Sequence, residues 1–258
     1  MTTIPTSSPN GAHAADDGDV VMALDHVSAA YGPFKALFDV SFAVREGRSL
    51  ALIGPNGSGK TTVARVCSGL LAPTSGTLRF EGADVTGERA YKLARRGVAH
   101  APEGRSVFAS LTVEENLQLS QLRRSRPERE EALAGAYEMF PRLGERRRQA
   151  AGLLSGGEQR MLSLARVMVE KPRLLIADEL SLGLAPIIVN EVYDALKVIK
   201  AAGTTLVIIE QHTSHALDAA DDIVVLVQGH VRVAGPAAEL GDLSQVLLPG
   251  SAHMGPSA

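Results

Sequence analysis

Three glycines, a lysine and two threonines lie close together in the segment GPNGSGKTT, residues 54–62. An apolar run, SLALI at 49–53, precedes the segment, and a helical pattern follows it. Glycines let backbone N–H groups turn toward an anion, and the positive N-terminus of the following helix faces the same anion. The segment therefore predicts a nucleotide-phosphate loop, with Lys60 on the β- and γ-phosphates and Thr61 on a Mg²⁺ ion.

The nucleotide contacts predicted for this loop all come from consecutive residues. They are Gly54, Pro55, Asn56, Gly57, Ser58, Gly59, Lys60, Thr61 and Thr62. A purely structural glycine turn is the alternative, and the strand and helix patterns around the loop argue against it. Kinases, GTPases and helicases use the same loop, so it indicates the class of ligand and not the function.

Two adjacent acids end the apolar segment LLIADE at 174–179. The carboxyl end of such a strand lies beside the phosphate loop in a parallel sheet. We expect Asp178 to support Mg²⁺, directly or through water, and Glu179 to act as the base that polarises the attacking water. The alternative is a helix cap or a solvated turn, and the accompanying phosphate loop favours the catalytic interpretation.

A second candidate anion site lies in LSGGEQ at 154–159. Ser155 and Glu158 have the spacing of a capping box, which a purely structural helix start would also show. A capping box alone does not require Gly156 and Gly157. These glycines leave the helix tip bare, so that its N–H groups can approach a phosphate closely.

The phosphate loop, LSGGEQ and LLIADE together resemble the ABC ATPase family. The resemblance implies that ATP and Mg²⁺ bind and that the helix tip at Ser155 contacts the γ-phosphate held by an opposite subunit. ATP would then lie between two chains, and its hydrolysis would reopen their interface. The resemblance also implies that Tyr31 stacks on adenine, for which a core or surface tyrosine is the alternative.

Two loops depart from the pattern of that family. Glu103, in APEGR, stands where most members carry a glutamine that senses Mg²⁺ and touches the transmembrane partner, which implies a metal and nucleotide contact for Glu103. Counting back from Ala220 and Asp221, the usual switch histidine falls on Gln211. Gln211 can hydrogen-bond a γ-phosphate but cannot titrate near neutral pH, and the neighbouring His212 is a weaker candidate.

The departures together resemble one ATPase subunit of the branched-chain amino-acid importers, with urea and amide importers similar. They are PEGR, the glutamate–glutamine pair at 210–211, and SLGLAP, in which Leu184 replaces the usual dimer-loop aspartate. The resemblance implies a related second ATPase subunit or, in isolation, a homodimer. It also implies two transmembrane permease subunits, an extracytoplasmic solute-binding protein, and a peripheral position on the cytoplasmic face of the membrane.

The elements that must position these residues follow from apolar runs and helical patterns. Buried-strand runs at 49–53, 97–101, 174–178, 205–210 and 222–227 predict a largely parallel sheet covered by helices. With the resemblance, this is an α/β fold: a P-loop NTPase (RecA-like) core with an N-terminal antiparallel β subdomain and an inserted helical subdomain. The expected boundaries are a disordered lead-in at 1–19, one ABC ATPase domain at 20–245 with the helical subdomain at about 104–170, and a tail at 246–258.

Composition narrows the remaining alternatives. The chain has 258 residues and one cysteine, Cys67, so an internal disulfide is excluded. Because the formal net charge is -3, neither nucleic acid nor an anionic membrane is expected as the main partner. The arginines at 146–148 could contact an acidic partner, but such runs are usually solvated. A soluble ABC protein acting on DNA or ribosomes usually has two cassettes or a long coiled coil, and this sequence shows the pattern of neither. A P-loop metabolic kinase is the other alternative, and it would leave LSGGEQ unexplained.

Overall fold

A computed structural model describes residues 20–102, 104, 107–121, 125–211 and 213–240. The predicted lead-in at 1–19 and tail at 246–258 lie outside the described residues. The same is true of Glu103 and His212. Their predicted roles therefore remain predictions.

The described residues form two β-sheets with helices around them. The strands are β1 (Val20–Tyr31), β2 (Phe34–Arg45), β3 (Ser49–Ile53), β4 (Ser75–Phe80), β5 (Ala83–Asp84), β6 (Val98–Ala101), β7 (Leu174–Asp178), β8 (Thr205–Glu210), β9 (Asp222–Val227) and β10 (His230–Pro236). The helices are α1 (Lys60–Cys67), α2 (Ala90–Arg96), α3 (Val113–Leu119), α4 (Arg126–Met139), α5 (Pro141–Glu145), α6 (Gly156–Glu170), α7 (Pro186–Ala201) and α8 (Thr213–Ala219).

The larger sheet has six strands in the order β10-β9-β3-β8-β7-β6. The pairs among β6, β7, β8, β3 and β9 are parallel, and β10 closes the sheet antiparallel to β9. Strands β3, β7 and β8 are buried along their whole length, as expected for parallel strands covered on both faces. The predicted largely parallel sheet is therefore confirmed.

The smaller sheet has the order β2-β1-β4-β5 and is antiparallel throughout. Its first two strands match the antiparallel layer predicted at the start of the chain. Strands β4 and β5 were not predicted. Only two of the six residues of β4, Leu78 and Phe80, are fully buried, so its apolar signal is short.

Helices α3 to α6 lie between β6 and β7 in the chain order. The spacing of Thr112 with Glu115, like that of Ser155 with Glu158, predicts a capping box, and these two boxes start α3 and α6. In each, the glutamate N–H donates to the threonine or serine side chain, and the glutamate side chain accepts from the backbone N–H of that threonine or serine. A third capping box, Ser125 with Glu128, starts α4. Within the described part of the chain no helix has the length and apolarity needed to cross a bilayer.

Alternate residues of the central strand pack into two separate apolar cores. Leu50 and Leu52 join one core, while Ala51 and Ile53 join the other. Cys67 is buried in the first of these, and burial raises the pKa of its thiol to about 12. A thiol with so high a pKa stays protonated and is a poor nucleophile.

Candidate active site

The candidate residues follow the carboxyl ends of three neighbouring strands. Strand register pairs Ile53 at the end of β3 with Glu210 at the end of β8, and Asp178 at the end of β7 with Ile209. The phosphate loop, Glu179 and Gln211 therefore start at the same edge of the sheet. Ligands bind at this edge in open parallel sheets.

Close contacts and backbone angles explain the glycines of the phosphate loop. A Cβ at Gly54 would overlap the carbonyl oxygen of Leu226, and one at Gly59 would lie 2.8 Å from Leu37 Cδ2. Gly57 and Gly59 also have φ angles of 74° and 102°, which side chains disfavour. Gly59 is the N-cap of α1 and makes no side-chain cap, so the N–H groups of this helix start can bind an anion.

Lys60 is held inside the loop. Its side chain is buried, and Nζ donates hydrogen bonds to Gly54 O at 2.8 Å and Pro55 O at 3.1 Å. Burial lowers the pKa of the Lys60 ammonium, although nearby carboxylates, first Glu179 and then Asp178, act in the opposite direction. An added anion favours the charged form of such a lysine, so the site suits a phosphate.

A cavity of about 230 Å³ lies over the loop. Its lining residues are Ala36, Asn56, Gly57, Gly59, Lys60, Thr61, Thr62 and Glu179. The structure therefore brings the predicted base to the same cavity as six of the nine predicted phosphate contacts, while Gly54, Pro55 and Ser58 do not line it. Ala36 comes from β2 and was missed, because an alanine in a strand carries no chemical signal.

Asp178 has the surroundings expected of a metal ligand. Its side chain is 1% exposed, and neither carboxylate oxygen has a hydrogen-bond partner among the described residues. A buried carboxylate without partners is costly, and a hard cation such as Mg²⁺ would satisfy its oxygens. His100, which the sequence did not single out, places Nε2 at 3.9 Å from Asp178 Oδ2, beyond hydrogen-bonding distance.

The segment at the start of α6 lies apart from this cavity. Ser155 is exposed, and Glu158 donates its N–H to Ser155 Oγ at 3.3 Å while accepting the Ser155 N–H at 2.8 Å. Burial acts to raise the pKa of Glu158, but the bonds to Ser155 and the charge of Arg146 outweigh it and the pKa is lowered. None of residues 155–158 lines the cavity, and the exposed tip can be reached by another molecule.

Arg146 has a specific contact in place of the solvated role considered from the sequence. Its Nε lies 3.3 Å from Glu158 Oε1, and the Glu158 side chain is only 14% exposed. The arginine therefore supports the capping box that starts α6. The sequence could not reveal this contact, since the two residues belong to different elements.

Tyr31 and Gln211 also lie outside the cavity lining. Tyr31 is 39% exposed at the end of β1, and its hydroxyl accepts a hydrogen bond from Arg65 Nη1 at 3.2 Å. The Arg65 guanidinium lies 5.7 Å from the ring centroid. Gln211 is exposed directly after β8. Adenine stacking by Tyr31 and the switch role of Gln211 stay predictions.

A family model described as ABC transporter matches residues 37–181, more than half of the chain. The chain belongs to the ABC transporter ATPase family. The matched span begins in β2, includes the phosphate loop and α6, and ends just beyond Glu179. As a member of this family the protein is an ATPase that binds adenine nucleotides.

Known relatives of this ABC ATPase cover most of its length. The high-affinity branched-chain amino acid transport ATP-binding protein BraG of Pseudomonas aeruginosa is 40% identical over 211 residues, 82% of this chain and 91% of BraG. The probable branched-chain amino acid transport ATP-binding protein LivF of Archaeoglobus fulgidus is 34% identical over 215 residues, 83% of this chain and 91% of LivF.

The fold has solved counterparts. The ADP conformation of an ATP-binding cassette of an ABC transporter matches with a TM-score of 0.77 at 27% identity, over 85% of this chain and 92% of that chain. ABC ATPases act in transporters as dimers with membrane permease subunits.

Proposed function

We propose that this chain is the ATPase subunit of a branched-chain amino-acid importer and hydrolyses Mg-ATP in the cavity over Lys60. One observation carries the catalytic part: Glu179 lines the same cavity as Lys60, Thr61 and four other residues of the phosphate loop. The 40% identity to BraG over most of both chains supports the choice of solute. Urea and amide import remains the alternative, because the solute is chosen by other subunits.

The phosphate-binding groups have separate roles. The N–H groups of the glycine loop and the Lys60 ammonium hold the β- and γ-phosphates. The Thr61 hydroxyl and the Asp178 carboxylate would hold Mg²⁺, with Glu103 as a further candidate. When bound, Mg²⁺ neutralises phosphate charge and orients the γ-phosphate. The buried, unpartnered oxygens of Asp178 support this assignment.

Glu179 is the proposed general base. Its carboxylate accepts a hydrogen bond from the water that attacks the γ-phosphate in line. It receives that proton as the new P–O bond forms and the bond from the γ-phosphorus to the bridging oxygen breaks, with ADP as the leaving group. Lys60 stabilises the charge on the phosphoryl oxygens. Gln211 would donate a hydrogen bond to the γ-phosphate.

A second ATPase subunit completes the proposed site. The bare helix tip of Ser155, Gly156 and Gly157 in one subunit would contact the γ-phosphate bound at Lys60 of the other. Exposure of Ser155 supports this arrangement. Loss of the γ-phosphate on hydrolysis removes that contact and reopens the dimer. Tyr31 would stack on adenine.

The rest of the proposed assembly follows from the same similarity. Residues 20–245 form the ATPase domain, with a helical subdomain at about 104–170. The domain works on the cytoplasmic face of the membrane beneath two permease subunits, and an extracytoplasmic binding protein delivers the solute.

Uptake by whole cells tests the choice of solute. In cells lacking this chain, we expect uptake of labelled leucine to fall at least about tenfold, and wild-type protein but not Glu179→Gln to restore it, because transport requires hydrolysis. Labelled urea and acetamide serve as parallel solutes. Unchanged leucine uptake with loss of urea or acetamide uptake would assign the chain to the alternative importers.

A further inference from the structure

Glu210 is a buried carboxylate that the proposed catalytic roles do not use. It ends β8 and is 2% exposed. Its register partner is Ile53, the last residue before the phosphate loop, and Gln211 follows it directly. A buried acid is costly unless its oxygens are satisfied, so its partners indicate why it is there.

Two hydrogen bonds to Glu210 come from the loop that carries Glu179. Ser181 donates its backbone N–H to Glu210 Oε1 at 3.1 Å and its hydroxyl to Oε2 at 2.9 Å. Two residues earlier, Glu179 donates its N–H to Ile209 O at 2.9 Å. The loop after β7 is thus fixed to two consecutive residues of β8, once on each side of Leu180.

The backbone of Glu179 needs such support. Its φ is 49°, in the left-handed region that non-glycine residues rarely occupy. A residue persists in this region only when its surroundings hold it there, and such residues concentrate at active sites. The bonds to Ile209 and Glu210 flank this angle in the chain, and the N–H of Leu182 also donates to Glu179 O at 3.4 Å.

Other groups near Glu210 act on its charge. Burial raises its pKa, the hydrogen bonds from Ser181 and the N–H of Gln211 lower it, and Glu179 adds to the rise; the pKa is raised overall. Glu210 also acts to raise the pKa of Lys60, which places its carboxylate within electrostatic range of the phosphate loop. Glu210 therefore lies close to the loop of Glu179, to Gln211 and to the phosphate loop.

We propose that Glu210 is a positioning residue that, through Ser181, holds the loop of Glu179 so that the Glu179 carboxylate faces the nucleotide cavity. The role rests on the proposed function of Glu179 as the base. Glu210 itself does not touch the nucleotide. Removing it displaces the base from the water, while the phosphate contacts of the glycine loop and Lys60 stay in place.

The test compares turnover and nucleotide affinity in the purified full-length chain. For Glu210→Ala we expect kcat to fall by about tenfold to a hundredfold, because a small misplacement of a catalytic group has this cost. The Kd for Mg-ATP, measured with a fluorescent ATP analogue, stays within about twofold. Ser181→Ala, which removes one of the two bonds and a single oxygen atom, lowers kcat by about threefold to tenfold.

Conservative variants separate positioning from general damage. In Glu210→Gln the amide can accept the Ser181 N–H and donate to the Ser181 hydroxyl, so kcat stays within about threefold of wild type. Ser181→Thr keeps the hydroxyl, and its kcat stays within the same range. Adding Ser181→Ala to Glu210→Ala causes no further loss, because both changes break one contact.

Thr204→Val is the matched control. Thr204 is also buried, and its hydroxyl bonds Pro172 O at 3.0 Å just before β8, far along the strand from Glu210. We expect this variant to lower the melting temperature and leave kcat unchanged. If Glu210→Ala is insoluble, Ser181→Ala and Ser181→Thr carry the comparison.

The proposal is overturned if Glu210→Ala and Ser181→Ala keep kcat within about threefold of wild type, or if they lose Mg-ATP affinity and turnover together. It is also overturned if the loss of kcat in the double variant is the product of the two single losses. Glu179→Gln in the same series separates the two ideas. Wild-type turnover in Glu179→Gln rejects the base itself, whereas its inactivity beside active Glu210 and Ser181 variants rejects only the positioning role.

Discussion

Replacing Lys60 by alanine is expected to weaken Mg-ATP binding by about a hundredfold and to abolish measurable turnover, because the ammonium is the buried cation of the phosphate site. The substitution also removes the bonds from Nζ to Gly54 O and Pro55 O, which shape the loop. Titration with a fluorescent ATP analogue, together with a phosphate-release assay, measures both effects.

The matched control for this substitution is Lys197→Ala. Lys197 lies on α7 with a 67% exposed side chain and pairs with Asp194 at the surface. Lys197→Ala removes the same kind of side chain and the same charge as Lys60→Ala, and we expect Mg-ATP affinity and turnover to stay within about twofold of wild type. Equal ATP affinity in Lys60→Ala and wild type, at a similar melting temperature, would contradict the phosphate role of Lys60.

Replacing Glu179 by glutamine is expected to lower turnover by about 10²- to 10⁴-fold while Mg-ATP affinity is kept. Glutamine has nearly the same shape but cannot take a proton from water. Glu179 lines the cavity beside Lys60, so the change removes the base and leaves the Lys60 ammonium in the phosphate site. Steady-state phosphate release and an equilibrium binding titration separate the two parameters.

Glu191→Gln provides the same chemical change at an exposed position of α7 and is expected to have wild-type turnover. The base assignment fails if Glu179→Gln turns over ATP within about threefold of the wild-type rate. Loss of ATP binding in that variant would instead indicate that Glu179 holds the nucleotide or its metal.

The sequence predicted the elements whose signals are local. The five parallel strands are largely apolar runs, and in the structure three are fully buried and the other two, β6 and β9, mostly so, as expected of a sheet covered on both faces. The capping boxes at Thr112 and Ser155 were found because both partners lie within three residues of each other. Strands β4 and β5 were not predicted, since β4 pairs with the distant β1, β5 is a two-residue strand that pairs with β4, and few of their residues are buried.

The candidate site also contains residues with a local sequence signal and contacts without one. The phosphate loop and the acids at 178–179 could be read from adjacent residues. The contact of Arg146 with Glu158 and the bonds of Glu210 to Ser181 join segments far apart in sequence, so no spacing rule indicates them. His100 likewise lies near Asp178, at 3.9 Å, because β6 and β7 pair in the sheet.

Nucleotide-dependent dimerisation tests most directly whether ATP at Lys60 is closed over by the α6 tip of a second molecule. The measurement is the molar mass of full-length Glu179→Gln by light scattering, in Mg-ATP and in Mg-ADP. We predict twice the single-chain mass of 27.1 kDa in Mg-ATP, the single-chain mass in Mg-ADP, and loss of the dimer but not of ATP binding when Ser155→Glu is added. A single-chain mass in saturating Mg-ATP, or a dimer that Ser155→Glu leaves unchanged, would contradict the shared site.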